Sequence, residues 1–154
     1  MRSAQGLIRT YLIRVGHGSA VAEAIKRGTM EPDQILHGDL SHEIIGAGMK
    51  VLYILKPGLS EKAYENALVV ELRKRSLRAE QQRRCNVYYE GELVDVLVPD
   101  LIVRNAVVVD PKVVDDFSPA HFAQMTGYLA ITGMRLALLL NFKHADLRWR
   151  RVVR

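Results

Sequence analysis

The chain has 154 residues, of which 49% are hydrophobic and 25% charged, a composition typical of one globular domain that excludes a fibrous or disordered chain. Its single cysteine excludes an internal disulfide, and no apolar stretch approaches the roughly 20 residues that cross a bilayer. The net charge of +5 arises mostly in residues 1–29, which hold five basic and one acidic side chain, so it indicates little about partners. These features predict a cytoplasmic protein with no membrane partner.

Residues 1–29 are predicted to be an N-terminal extension, either disordered or not part of the native fold. They are rich in arginine and poor in acids, contain no continuous apolar segment, and are followed by Met30, a plausible alternative start. Residues 30–154 are predicted to form a single domain.

Two helices are predicted from apolar residues at helical spacing. The first has Ser41 as a candidate N-cap and stops before Pro57 and Gly58. The second follows at once and is capped by Ser60. The residues predicted to face inward from the second helix are Ala63, Ala67, Val70 and Leu72.

The pattern then changes to short β-rich runs at residues 85–89, 93–103 and 107–110. Turns are predicted between them at 90–92 and 104–106. Because the connections are so short, the three strands are predicted to pair as an antiparallel meander.

A third helix and two further strands complete the predicted elements. Ser118 is the expected N-cap, Pro119 the first helical residue, and Gly133 lies beyond the helix end. The strands are predicted in 134–142 and 147–153. The order after the first helix is α-β-β-β-α-β-β, which predicts an α+β fold with a mixed sheet.

Asp100, Asp110 and Lys112 interrupt the apolar run at 96–114, whose remaining charged residue, Arg104, lies in the predicted turn. If 104–106 is a three-residue hairpin loop, Asp100 falls opposite Asp110, and Lys112 lies on the same face. Two carboxylates this close raise one pKa or bind a hard cation such as Mg²⁺. Spacing alone leaves two interpretations open: a metal site, or a strand end, a bend and a solvated lysine.

Gly58, Glu61 and Tyr64 have the spacing G-x-x-E-x-x-Y at the start of the second helix, and "PD" at 99–100 and "DPK" at 110–112 follow in order. In these motifs the chain resembles the GxxExxY proteins, a branch of the PD-(D/E)XK nuclease superfamily. The combination is far more specific than any of the motifs alone.

The segment "QMTGY" at 124–128 matches the Q-x-x-x-Y pattern of RecB-like members of that superfamily. The resemblance covers roughly residues 40–153. It implies a restriction-endonuclease-like αβββαβ core, here with an additional N-terminal helix, which agrees with the order of elements predicted from periodicity.

The resemblance also implies a nuclease that depends on Mg²⁺ or Mn²⁺ and hydrolyses phosphodiester bonds in DNA or RNA. The implied metal ligands are Asp100, Asp110 and Glu61. The other implied site residues are Lys112, which would orient or activate the attacking water, and Gln124 and Tyr128, which share one helical face. Glu65, one turn after Glu61, is a reserve candidate.

Pro111 departs from the family pattern, which places an apolar residue before the lysine. Proline cannot donate to a strand ladder, so the strand is expected to end or bulge between Asp110 and Lys112, which would turn the lysine off the shared face. The alternative function is therefore a catalytically weak or inactive module on the same fold that binds nucleic acid or a protein.

A basic segment between the second helix and the first strand is a candidate phosphate-backbone contact. A solvated helix end, whose cations complement the helix dipole, accounts for it equally well. The basic residues of this segment are Arg73, Lys74, Arg75, Arg78, Arg83 and Arg84.

Overall fold

The computed structural model describes residues 36–154, so the interpretation of residues 1–29 as an extension lies outside the described range. The helices in this range are α1 (Gly38–Leu55), α2 (Glu61–Lys74) and α3 (Pro119–Thr132). The strands are β1 (Ala79–Gln81), β2 (Cys85–Tyr89), β3 (Glu92–Leu97), β4 (Leu101–Val103), β5 (Val107–Lys112), β6 (Leu136–Asn141) and β7 (Arg148–Val153).

Five of these strands form one mixed sheet in the order β1-β4-β5-β6-β7. Strands β5 and β6 run parallel, and the other neighbours are antiparallel. Strands β2 and β3 pair only with each other, as a two-stranded sheet. The predicted α+β class with a mixed sheet is confirmed.

The predicted three-stranded meander is only partly correct. Both of its antiparallel pairings are present, β2 with β3 and β4 with β5. The run at 93–103 is broken at 98–100 into β3 and β4, so the two pairings belong to different sheets, and β4 has β1 as its other partner. Pro99, within the break, has no N–H to donate and restricts the backbone of Val98 before it. Strand β1 was not predicted, because its three residues lie in a polar, basic segment without a β pattern.

The predicted hairpin between β4 and β5 is confirmed in its register. Leu101 pairs with Val109 and Val103 with Val107, around the three-residue loop 104–106. This register fixes which face of the sheet the alternating side chains of β5 point to, because a slip of one residue would move each set to the opposite face.

The prediction that Pro111 ends the strand or makes it bulge is wrong. Strand β5 continues to Lys112, and its pairing with β6 matches Pro111 with Leu140 and Lys112 with Asn141. On its other side β5 pairs with β4 only as far as Val109, so the missing N–H of proline costs no bond there.

Helices α2 and α3 begin as predicted, and α3 also ends as predicted. Ser60 is the N-cap of α2, and its hydroxyl accepts a hydrogen bond from the Ala63 amide at 3.4 Å. Helix α3 starts at Pro119 and is followed by Gly133, whose φ of +72° is the left-handed conformation that glycine adopts without strain.

Two details of α1 and α2 differ from the prediction. Helix α1 begins at Gly38, so Ser41 is not its N-cap but a buried residue whose Oγ accepts a hydrogen bond from Arg151 at 2.6 Å. On α2, Val70 is 42% exposed. Of the four residues predicted to face inward, Leu72 is buried, and Ala63 and Ala67 are half-buried. The buried face of α2 consists of Tyr64, Glu65, Leu68, Glu71 and Leu72.

The large sheet carries apolar layers on both faces. Helix α3 packs on one face, where the buried cluster is formed by Ile102, Val108, Met125, Leu129, Met134, Ala137 and Leu139. On the other face, α1 approaches Leu140 and Phe142 at Gly48, and α2 stacks Tyr64 on Phe142. In the described range no helix combines the length and the apolar character needed to cross a membrane.

Candidate active site

The side chains of Asp100, Asp110 and Lys112 meet on the α3 face of the sheet. Asp110 and Lys112 alternate along β5 with Val108, a member of the cluster under α3, so all three side chains share that face. Asp100 precedes β4 by one residue and follows the same alternation with Ile102.

Asp110 is a buried carboxyl group, with 2% of the residue exposed. Nζ of Lys112 lies 2.9 Å from its Oδ2, and the carboxyl of Asp100 is within hydrogen-bonding range. Burial raises the pKa of Asp110 to about 7, and Asp100 adds to this rise, whereas Lys112 opposes it. Near neutral pH a cation can therefore displace the proton of this carboxyl group into solvent.

Lys112 keeps its charge at this site. Burial disfavours the ammonium, but the contact with Asp110 outweighs that effect, and the charges of Glu61 and Asp100 act in the same direction. The pKa of Lys112 is therefore raised above its ordinary value. The site holds a permanent cation beside two carboxyl groups.

The donor set at this site fits a hard divalent cation. Apart from the contacts with Lys112 and Asp100, neither buried oxygen of Asp110 has a hydrogen-bond partner among the described residues. Carboxylate oxygens are preferred ligands of Mg²⁺, which usually takes one or two from the protein and completes its shell with water and substrate phosphate. Within residues 36–154 no group of three or more His, Cys, Asp or Glu residues is placed to hold a metal.

Gln124 and Tyr128 lie on one face of α3 and contact each other. Nε2 of Gln124 donates a hydrogen bond to the Tyr128 hydroxyl at 3.1 Å. Burial raises the pKa of Tyr128, and the charges of Asp110 and Asp100 raise it further. The hydroxyl therefore lies within the electrostatic reach of the carboxyl pair and stays protonated at neutral pH.

Tyr64, the tyrosine of the G-x-x-E-x-x-Y motif, has a structural position. Its ring is fully buried and stacks on Phe142, with the ring centroids 4.7 Å apart. Its hydroxyl donates to the Lys56 carbonyl at 2.7 Å and accepts from the Leu59 amide at 3.1 Å. Tyr64 thereby ties down the loop between α1 and α2.

This loop determines where Glu61 lies. Gly58 has a φ of +115°, a conformation that side chains rarely adopt, and Ser60 then caps α2 so that Glu61 becomes its first residue. Glu61 is exposed there, and its charge acts on Lys112. The motif therefore sets the path of the loop and directs the start of α2 toward the site.

A polar network behind Asp100 was not predicted, although Glu65 was a reserve candidate. Oε1 of buried Glu65 accepts hydrogen bonds from Lys62 at 2.9 Å, Gln81 at 2.9 Å and Gln82 at 3.2 Å. The same amide of Gln82 donates to Oδ1 of Asp100 at 3.1 Å. The sequence feature that could have indicated this network is the pair Gln81 and Gln82, two amide side chains inside a basic segment.

Asn141 is a second residue that the sequence analysis missed. It is fully buried at the end of β6, in register with Lys112. Its Nδ2 donates to the Val114 carbonyl at 2.7 Å, and its Oδ1 accepts from the amides of Val114 at 3.2 Å and Lys143 at 3.1 Å. Asn141 therefore fixes the chain just after Lys112. The sequence feature that could have indicated its role is a single amide side chain at the end of the apolar run 136–140.

Two of the six basic candidates are engaged within the protein. Arg75 contacts Glu71 and Glu43, each at 3.1 Å. Arg83 lies 3.8 Å from Glu80 and donates to Asn105 at 2.8 Å. Ion pairs within the protein therefore offset part of the charge of this segment.

A mixed five-stranded sheet between helices, with Asp110 and Lys112 at the end of its central strand and Asp100 beside them just before β4, defines a restriction-endonuclease-like α+β domain. The sequence model of the PD-(D/E)XK nuclease superfamily matches residues 38–152. The chain belongs to this superfamily.

Solved structures similar to this chain include an alkaline exonuclease, LHK-Exo, from Laribacter hongkongensis, with 12% sequence identity and a TM-score of 0.42 over 73% of this chain and 82% of that chain. Its complex with dAMP gives 10% identity and a TM-score of 0.44 over 74% and 82%. The structure of SSO0001 gives 14% identity and a TM-score of 0.48 over 97% of this chain and 76% of that chain. Among curated proteins, none matches this sequence.

Proposed function

We propose that this chain is a divalent-metal-dependent nuclease that hydrolyses phosphodiester bonds in nucleic acid. The proposal places it in the GxxExxY branch of the superfamily, with a RecB-like Q-x-x-x-Y helix. The observation that carries the proposal is the carboxyl pair Asp100 and Asp110 beside Lys112, in which both oxygens of Asp110 are buried and meet no described polar group other than Lys112 and Asp100.

Asp100 and Asp110 would hold Mg²⁺ or Mn²⁺, and Glu61 would contribute a third acidic group from the start of α2. When bound, the ion supplies a Lewis acid for a phosphoryl oxygen and lowers the pKa of a coordinated water. The raised pKa of Asp110, about 7, means that its proton competes with the cation, so binding should strengthen as the pH rises past neutrality.

Lys112 would stabilise the negative charge that develops on the phosphate in the transition state, since its ammonium stays charged beside the carboxyl pair. It could also orient the attacking water. The Tyr128 hydroxyl stays protonated and would donate a hydrogen bond to the phosphate or the water, and Gln124 holds that hydroxyl in place.

The substrate backbone would be bound by the basic segment that begins in the last turn of α2, in a cytoplasmic setting. Because Arg75 and Arg83 already form ion pairs, most of this contact would come from the others. The remaining basic residues of the segment are Arg73, Lys74, Arg78 and Arg84. Such contacts are sequence-independent and weaken steeply with salt.

The test combines metal binding with cleavage at pH 8, where Asp110 is ionised. Calorimetry with Mg²⁺ and Mn²⁺ should show binding to the parent and its loss in Asp110→Asn. Cleavage of end-labelled double-stranded DNA, single-stranded DNA and RNA should fall about 100-fold or more in the same variant. Asp95→Asn, which changes an exposed aspartate of β3, is the matched control and should behave as the parent.

The contrary result is equally specific. If neither the parent nor Asp95→Asn binds millimolar metal, the nuclease proposal is wrong. Binding of nucleic acid without metal binding or cleavage would then support the alternative of an inactive binding module on this fold.

A further inference from the structure

The main chain of Asp100 is held from one side by Gln82. Asp100 lies in the irregular stretch between β3 and β4, where no strand ladder fixes it. The backbone N–H of Gln82 donates to the backbone carbonyl of Asp100 at 3.0 Å. This hydrogen bond extends the β1–β4 pairing, which ends with Gln81 and Leu101, by one step. Gln82 reaches this position with a φ of +53°, which is uncommon for a residue with a side chain.

The Gln82 side chain also holds the carboxylate of Asp100. Its Nε2 lies between two acceptors, Oδ1 of Asp100 at 3.1 Å and Oε1 of Glu65 at 3.2 Å. One neutral amide therefore separates two acidic groups that would otherwise repel each other, and it binds both. Oδ2 of Asp100 is not engaged by this amide.

Glu65 gives the amide a fixed anchor. The residue is 5% exposed and belongs to the buried face of α2, and three donors converge on its Oε1. Burial alone would raise the pKa of Glu65, but hydrogen bonds from Lys62, Gln81 and Gln82 lower it below the ordinary value. Glu65 is thus a charged acceptor that cannot move without breaking several bonds.

We propose that Gln82 is the positioning residue of Asp100: it fixes the backbone and one carboxylate oxygen of that residue against the Glu65 anchor, so that the other oxygen is directed toward a divalent cation shared with Asp110. This inference rests on the proposed function, in which Asp100 is a metal ligand. Residues behind metal ligands commonly change metal affinity about 10–100-fold when they are replaced.

Gln81 provides a matched control for Gln82. Its amide donates to the same Glu65 oxygen at 2.9 Å and to Asn66 at 3.0 Å, but not to Asp100. Gln82→Met removes the side-chain bonds to Asp100 and Glu65 with little change in size. Gln81→Met removes the bonds to Glu65 and Asn66 but leaves the contact between Gln82 and Asp100 intact. Gln82→Asn keeps an amide and tolerates positive φ, but is one methylene shorter, and it replaces Gln82→Met if that variant does not fold.

Two measurements are made on the full chain, after near-ultraviolet circular dichroism shows that each variant is folded. The first is the side-chain carboxyl ¹³C resonance of Asp100 in the absence of metal, which reports its hydrogen bonding. The second is the Kd for Mn²⁺ by calorimetry. We expect Gln82→Met to move the Asp100 resonance and raise the Kd about tenfold, and Gln81→Met to leave the resonance unmoved and the Kd within about twofold.

Two results would overturn the proposal while the proposed function stands: the parent binds Mn²⁺ and Gln82→Met binds it equally well, or Gln81→Met weakens binding as much as Gln82→Met. If the parent binds no Mn²⁺, the proposed function fails. The carboxyl resonance of Asp100 without metal then decides whether Gln82 positions Asp100. An Asp100 resonance that Gln82→Met leaves unmoved overturns it, and one that shifts supports it.

Discussion

The ammonium of Lys112 lies 2.9 Å from the carboxylate of Asp110, although a proline separates the two residues in the chain. The side chains meet because β5 remains a regular strand through Pro111, so residues two apart point to the same face. A proline is compatible with this strand since β4 no longer pairs with β5 at that point.

Replacing the proline should therefore not improve the site. Pro111→Val keeps a buried residue of similar size, and we expect the Kd for Mn²⁺ to stay within about threefold of the parent and the free energy of unfolding to change by about 1 kcal/mol or less. Calorimetry and urea denaturation measure the two quantities. A tenfold gain in affinity would show that the proline displaces Lys112 or Asp110 after all.

The buried carboxyl of Asp110 should make the metal-free protein less stable as the pH rises. The pKa of Asp110 rises from the ordinary value of 3.8, which applies to the unfolded chain, to about 7 in the native fold. Between these two pH values the native state holds a proton that the unfolded chain has released. The contribution of Asp110 to the free energy of unfolding therefore falls as the pH rises from about 4 to about 7, and it levels off at higher pH. Asp110→Asn removes this loss and should stabilise the protein at pH 8 by on the order of 2 kcal/mol, with little gain at pH 4.

Thermal unfolding at several pH values in the presence of a chelator tests this expectation. Asp115→Asn is the control, because Asp115 is exposed and its pKa is lowered by Lys143, the opposite direction. A gain at pH 8 in both variants, or in neither, contradicts the assignment of the effect to the burial of Asp110.

Tyr64 should contribute to stability through its hydroxyl as well as its ring. Tyr64→Phe preserves the stack on Phe142 but leaves the Lys56 carbonyl and the Leu59 amide without the hydroxyl. We expect a loss of about 1–2 kcal/mol in urea denaturation. Tyr53→Phe, at a tyrosine that is 75% exposed, should cost nothing measurable, and an equal loss in both would assign no special role to the loop contact.

Tyr128 is expected to act on the substrate and not on the metal. Tyr128→Phe removes the hydroxyl that Gln124 holds, so cleavage should fall about tenfold or more while the Kd for Mn²⁺ is unchanged. Tyr89→Phe, at a tyrosine of β2 that is 70% exposed, is the control. If metal binding weakens in step with cleavage, the hydroxyl supports the carboxyl pair rather than the substrate.

The sequence by itself determined the elements that local signals specify. Ser60 and Ser118 mark helix starts, and the three-residue loop gave the register of β4 and β5. The alternation of side chains along a strand placed Asp110 and Lys112 on one face. The spacing of Gln124 and Tyr128 placed them on one side of α3. These features depend on chain periodicity and on caps, which act over a few residues.

The tertiary structure decided the rest, because strand partners and burial depend on residues far apart in the chain. The β-rich run at 93–103 shows no local sign that its second half pairs with β1. The bond between Gln82 and Asp100 spans 18 positions, and no periodic pattern connects the two residues. The raised pKa of Asp110 likewise exists only once the fold excludes water from its carboxyl group.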